Sequence, residues 1–239
     1  MIKCTVCRAE NDDFATTCTQ CKAFLQDRVP HLNLFETSWQ VIESPGEAFR
    51  KIVLAEHKNY VLFLFSLLGV GAAFTAFWYF RLGLRFSSLL ELIPSAVGGG
   101  VVFGLAASVL VTAVYHGFAR TLGGTTGFRN SFGVIGYALT PVAFSLFLIL
   151  PIELSTFGMY LFTGNPDPYT MKPLSYVLLV GFDGLIGVWT FALAVVATRV
   201  AHRMSVFKSF VAVAGTLALF VGGIFFAALQ LGLVEHVGR

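Results

Sequence analysis

From residue 60 onward the chain is a succession of runs of about twenty residues almost free of charge, each long enough to cross a hydrocarbon core of about 30 Å. With 56% hydrophobic and 12% charged residues, a water-soluble domain of this length could not hide its apolar surface. The bilayer is therefore the expected solvent for most of the molecule. The runs place five spans near 60–80, 95–118, 133–152, 174–198 and 207–231. The fold class that follows is an all-α polytopic membrane protein, a five-transmembrane-helix bundle over 60–232 with a small N-terminal Cys4 zinc ribbon. Because a polar segment precedes the first run, no cleavable signal peptide is expected.

An odd number of spans puts the two termini on opposite sides. Seven basic residues precede the first span (Lys3, Arg8, Lys22, Arg28, Arg50, Lys51, Lys58), two lie in the loop after the second (Arg120, Arg129) and three in the loop after the fourth (Arg199, Arg203, Lys208). The other face has only Arg81, Arg85, Lys172 and Arg239. The positive-inside rule then predicts a multi-pass protein of the cytoplasmic (plasma) membrane, N-terminus in the cytoplasm and C-terminus outside. It also makes the net charge of +3 a topology signal rather than a nucleic-acid surface.

Residues 1–28 carry Cys4-x2-Cys7 and Cys18-x2-Cys21. Two such pairs present four thiolates from two tight turns, a set suited to one tetrahedral, structural Zn²⁺ around which a fragment too small for its own core can fold. Rubredoxin-like iron, a redox dithiol and disulfides are the alternatives, and four cysteine ligands leave no open position for catalysis. A reducing cytoplasm agrees with the charge-based orientation. Arg8 and Lys22 stand where such knuckles often have glycine. The fragment's four basic side chains (Lys3, Arg8, Lys22, Arg28) are matched by four acidic ones (Glu10, Asp12, Asp13, Asp27), which argues against a nucleic-acid partner and makes a protein contact the better expectation.

Residues 29–59 read as a linker and an amphipathic helix. Ser44, Pro45 and Glu47 have capping-box spacing, and Phe49, Ile52 and Val53 share a face, which predicts a helix lying in the headgroup layer. In the second span Ala96, Gly100, Gly104, Ser108 and Thr112 recur every four residues, a pattern that lets helix backbones approach closely in lipid. Packing within the bundle is the first expectation, and a homo-oligomer through the same stripe the second. Asp183 stands as the one acidic residue deep in a span, flanked by Gly181, Gly184 and Gly187, which would admit a neighbouring helix. His116 and Arg120 read as interfacial cations reaching for headgroups. Gly123-Gly124-Thr125-Thr126-Gly127 lacks the lysine and spacing of a phosphate-binding loop, and no tandem repeat or low-complexity tract stands out.

His116-Gly117-Phe118-Ala119-Arg120-Thr121-Leu122-Gly123-Gly124, then Gly127-Phe128-Arg129 and Gly136-Tyr137-Ala138-Leu139-Thr140-Pro141, resembles the central signature of the Yip (Ypt/Rab-interacting protein) membrane domain. Ser44-Pro45-Gly46-Glu47-Ala48-Phe49 resembles the start of that domain, and Trp189 with Met204-Ser205-x2-Lys208 its fourth span and following loop, so that the likeness runs over roughly 45–232. It implies five spans with a cytoplasmic N-terminus, and in eukaryotic members an engagement of prenylated Rab GTPases in vesicle traffic. The eukaryotic Asp-Leu-Tyr-Gly-Pro motif is absent and a zinc ribbon stands in its place, so the resemblance is to the prokaryotic branch. His116, Arg120, Tyr137 and Asp183 are the candidate functional residues of the bundle.

These observations favour a non-enzymatic membrane scaffold or adaptor whose cytoplasmic ribbon recruits a protein partner, in membrane organisation or trafficking. The competing expectation is a small transporter or channel using Asp183. The polar inventory of the spans is too thin for an enzyme.

Overall fold

The computed structural model describes residues 1–232; Arg239, counted above on the outer face, lies outside the described residues. Five helices are long and apolar enough to cross a membrane, as expected. Two shorter helices precede them. In chain order these are α1 (Leu34–Glu43), α2 (Pro45–Leu54), α3 (Val61–Tyr79), α4 (Leu89–Thr121), α5 (Phe128–Phe157), α6 (Pro173–His202) and α7 (Val206–Gln230). Among the described residues the sheet comprises only β1 (Ile2–Lys3) and β2 (Glu10–Asn11), paired antiparallel. Large apolar side chains such as Val102, Phe147, Leu185 and Phe226 stay uncovered around the bundle, which is costly in water and costs nothing against lipid tails.

The small-residue row of α4 is used inside the chain. A Cβ built on Gly104 would stand 2.2 Å from the Phe65 carbonyl oxygen, and one on Gly69 of α3 would stand 2.1 Å from the Gly100 oxygen. No side chain fits there, so α3 and α4 run backbone against backbone. Ala96, Ser108 and Thr112 continue the row fully buried, and the row is therefore not free to serve a homo-oligomer. By contrast a Cβ on Gly181, Gly184 or Gly187 would meet nothing within 4 Å; no neighbouring helix packs against these three glycines, and the contact at Asp183 is made by Ser145 of α5.

The segment between ribbon and spans differs from expectation in two ways. The apolar face of α2 (Ala48, Phe49, Ile52) is fully buried in the bundle core with Tyr115, Val134 and Leu193, so it packs on protein instead of headgroups. Pro45 does take the first turn, but Ser44 makes no side-chain cap because it also closes α1, with its backbone N–H bonded to the Gln40 oxygen. The helix with an exposed apolar stripe is α1, started by the Asn33 side chain accepting from the Glu36 N–H. Its Phe35 and Trp39 are 85% and 65% exposed, and Ile42 lies beside Phe144, Phe182 and Trp189 on the flank of the bundle. An aromatic pair on such a helix suits the membrane interface.

In the ribbon Cys4-Thr5-Val6-Cys7-Arg8-Ala9 and Cys18-Thr19-Gln20-Cys21-Lys22-Ala23 form a short spaced repeat. The two copies build matching turns. Arg8 and Lys22 donate their N–H to the carbonyls of Cys4 and Cys18 (2.9 and 3.1 Å), while Cys4 and Cys18 donate to those of Ala9 and Ala23 (2.9 and 2.8 Å). Each turn needs a left-handed residue, and Arg8 (φ 61°) and Lys22 (φ 60°) adopt that conformation at a cost of roughly 1 kcal/mol or more each.

Candidate functional site

Four thiols converge at the two knuckles. All four Sγ atoms lie within 4.8 Å of one another, with Cys4–Cys21 at 3.6 Å and Cys7–Cys18 at 3.5 Å. A tetrahedral ion with metal–sulfur bonds of about 2.3 Å needs sulfur separations of about 3.8 Å, so the set fits one metal ion. The surroundings favour the thiolate at Cys4 and Cys18, whereas the Cys21 thiol, although it faces the Ala23 N–H, is pushed up to about 12 by the neighbouring sulfurs and by burial. The Cys4 sulfur faces the backbone N–H groups of Cys7 and Val6, which lower its pKa; that of Cys18 faces those of Cys21 and Gln20, and its thiol is drawn down to about 6. Buried Asn11 ties the second knuckle to the strands. Its amide donates to the Ala9 carbonyl (2.9 Å) and the Cys18 sulfur (3.5 Å), and its oxygen accepts from the Thr19 N–H and hydroxyl (2.9 and 3.1 Å). Nothing in the sequence marked Asn11, because a polar residue in a polar fragment reads as solvated.

The ribbon rests on the bundle at the α6–α7 turn. Arg203, in a left-handed conformation, donates to both carboxylate oxygens of Asp12 and lies 4.8 Å from the centre of the Phe14 ring. Arg50 of α2 reaches the Asp13 carbonyl (3.2 Å) and the Gln26 side chain (3.3 Å). The bidentate bond from Arg203, then the Phe14 N–H, hold the Asp12 carboxyl below the usual carboxylate range, and the Arg203 pKa is raised in return. A carboxyl lowered in the folded state contributes docking stability that is present above about pH 4 and is lost as pH falls through its lowered value. The two side chains are 55% and 35% exposed, so the pair and the ring contact together contribute on the order of 1 kcal/mol. Asp12→Ala should raise hydrogen exchange in residues 9–19 about fivefold at pH 7, and Asp12→Arg combined with Arg203→Asp should restore protection; an unchanged exchange rate in the single variant would show that this contact does not hold the ribbon.

The residues of the central motif meet directly above this turn. His116 does not reach for headgroups as expected; its Nδ1 hydrogen-bonds the Ser131 hydroxyl (2.8 Å), which also bonds Nε2 of fully buried His202 (3.0 Å). Beside them the Tyr115 hydroxyl donates to Thr198 (3.0 Å). Arg120 is exposed and contacts the Gly124 carbonyl (3.4 Å). A Cβ on Gly124 would stand 2.4 Å from His202 Nδ1, and one on Gly136 would stand 2.5 Å from Val61, so these glycines are needed for close approach. Tyr137 is buried and donates to the Asn59 carbonyl (3.0 Å), fixing the start of α3. Lys58 closes α2 by donating to the carbonyls of Ile52, Val53 and Ala55. The motif thus locks α3, α4, α5 and α6 together at the ribbon end. No local signal pointed to His202, which sits among basic residues that read as an interfacial cluster.

Asp183 is in the opposite half of the bundle and accepts a hydrogen bond from Ser145 (2.5 Å). It is not the one acidic residue within the spans: Glu153 of α5 is buried and lines the same cavity, and Glu91 stands in the first turn of α4.

A family model described as Yip1 domain matches residues 39–229. No curated protein and no solved structure gives a significant match.

Proposed function

Because the chain belongs to the Yip1 domain family of membrane proteins, we propose that it is a non-enzymatic multi-pass adaptor whose ribbon, closed by one structural Zn²⁺ on Cys4, Cys7, Cys18 and Cys21, recruits a protein partner to the membrane surface. One observation carries this reading. The ribbon is held at a fixed place by Arg203 and Arg50 yet leaves Val6 and Phe24 71% and 70% exposed. Val6 lies within the first turn and Phe24 directly follows the second, and a module whose sole task was to cap the bundle would turn them inward. The basic bias around the ribbon supports a cytoplasmic location in the plasma membrane.

The transporter reading is less well supported. The cavity that holds Asp183 is lined from the far half of the bundle, whereas Phe49, Phe65, Tyr115 and Tyr137 fill the ribbon-side half.

The adaptor reading is tested by proximity labelling in cells with wild type and a Val6→Ser/Phe24→Ser double variant. The wild type is expected to label a defined cytoplasmic protein and the variant to lose at least about 80% of that label, since apolar anchors dominate such interfaces. Equal labelling by both, at equal membrane levels, would remove the ribbon as the recruiting surface.

A further inference from the structure

The far half of the bundle holds a half-open cavity of about 720 Å³ between α3, α5, α6 and α7, a volume typical of small-molecule sites. Its walls are mostly carbon, with the rings of Phe74, Trp78, Tyr79 and Phe162 prominent. One wall is the widened π-helical turn Ser145–Ile149 of α5. Pro151 follows it, lacking the N–H that would continue the ladder and crowding the carbonyl four residues back, so the helix opens there.

Three polar groups face this space in an unusual state. Glu153 is only 7% exposed, and its carboxyl has no hydrogen-bond partner among the described residues. The Thr190 hydroxyl on α6 is buried and also without a partner. Asp183 has one partner, the Ser145 hydroxyl. Leaving such groups unsatisfied in the hydrocarbon zone is expensive, and acidic residues there are expected to find an opposite charge. Among the described residues no Lys, Arg or His lines the cavity.

We propose that this cavity is a binding site for a lipophilic organic cation, an amine with an apolar body. The ammonium group sits between Glu153 and Asp183, where it satisfies both carboxyls. The apolar body lies against Phe74, Trp78 and Phe162, whose ring faces also attract positive charge. A hard metal cation is a poorer occupant, since it needs six or more oxygen ligands and the lining is largely carbon. A neutral lipid chain would fill the volume but leave both carboxyls without a counter-charge.

The test uses the full chain in nanodiscs of zwitterionic lipid, in a Trp39→Phe/Trp189→Phe background where Trp78 in the cavity wall is the remaining tryptophan. The probes are 2-phenylethylamine, protonated at pH 7, and its neutral analogue 2-phenylethanol. The amine should change Trp78 emission saturably, and the alcohol should bind at least about tenfold more weakly, as expected when a buried ion pair is lost. Glu153→Gln and Asp183→Asn should each weaken the amine to a similar degree. The amine-to-alcohol comparison needs no change in the cavity, so it stands even if a carboxyl variant fails to fold. Equal affinity for amine and alcohol would mean an apolar cavity filled by lipid, and a non-saturating response, or one that folded carboxyl variants retain in full, would mean partition into the bilayer; either result overturns the proposal.

Discussion

Replacing Gly104 with leucine should prevent the first two spans from assembling. The Cβ alone would lie 2.2 Å from the Phe65 carbonyl oxygen and 3.0 Å from the Ser66 Cα, and the obstacle is backbone, which cannot rotate aside as a side chain can. Overpacking a well-filled core costs about 1–3 kcal/mol when side chains yield; here α3 must shift along its length, so the cost should reach or exceed that upper figure, a large share of a typical stability of about 5–15 kcal/mol. Gly98, on the same helix, has nothing within 4 Å of a built Cβ, and Gly98→Leu is the matched control. Thermal unfolding in detergent should show Gly104→Leu unfolding well below wild type, or failing to accumulate in the membrane, while Gly98→Leu stays within a few degrees of wild type. Similar behaviour of the two variants would contradict the backbone contact of α3 and α4.

That contact was legible before the structure because a four-residue period of small side chains has one main physical use in lipid. The five spans were legible for a related reason, since hydropathy reports the apolar stretch a bilayer must accept. Their lengths were not. The 33 residues of α4 would extend about 50 Å, well beyond the hydrocarbon core, because helical hydrogen bonding continues through polar residues that hydropathy assigns to loops. Glu153 was lost through the same gap: it follows Pro151 at the expected edge of a span and reads as a loop residue, although α5 carries on to Phe157. His202 was hidden differently. Between Arg199 and Arg203 it looks like one more interfacial cation, and only the approach of α5 brings Ser131 to its ring. In the ribbon the cysteine spacing announced the metal centre, but the partners that place it on the bundle, Asp12 and Arg203, are separated by most of the chain, and no local pattern connects them.

Removing the metal should unfold the ribbon and leave the bundle intact. The fragment has two strands of two residues each, and Cys4, Cys18 and Asn11 are its most deeply buried side chains, so ligand bonds supply most of its folding free energy. For structural zinc in small modules that contribution is about 10–16 kcal/mol near neutral pH, far more than the roughly 1 kcal/mol expected from the Asp12–Arg203 contact or the strain at Arg8 and Lys22. The bundle does not share the dependence, because its ribbon-side core of Phe49, Phe65, Tyr115 and Tyr137 is built from α2 to α5. Purified protein should carry one equivalent of zinc per chain by metal analysis, and Cys18→Ser should carry little. After chelation, trypsin should cut at Arg8, Lys22 and Arg28 at least about a hundredfold faster, while the helical circular dichroism of the spans changes by less than about a tenth. Iron in place of zinc, or less than half an equivalent of any metal in undamaged protein, would refute the zinc assignment. A ribbon that stays protease-resistant without metal would mean that docking on Arg203 and Arg50 is the stronger constraint, and the fixed presentation of Val6 and Phe24 would then owe more to the bundle than to the metal.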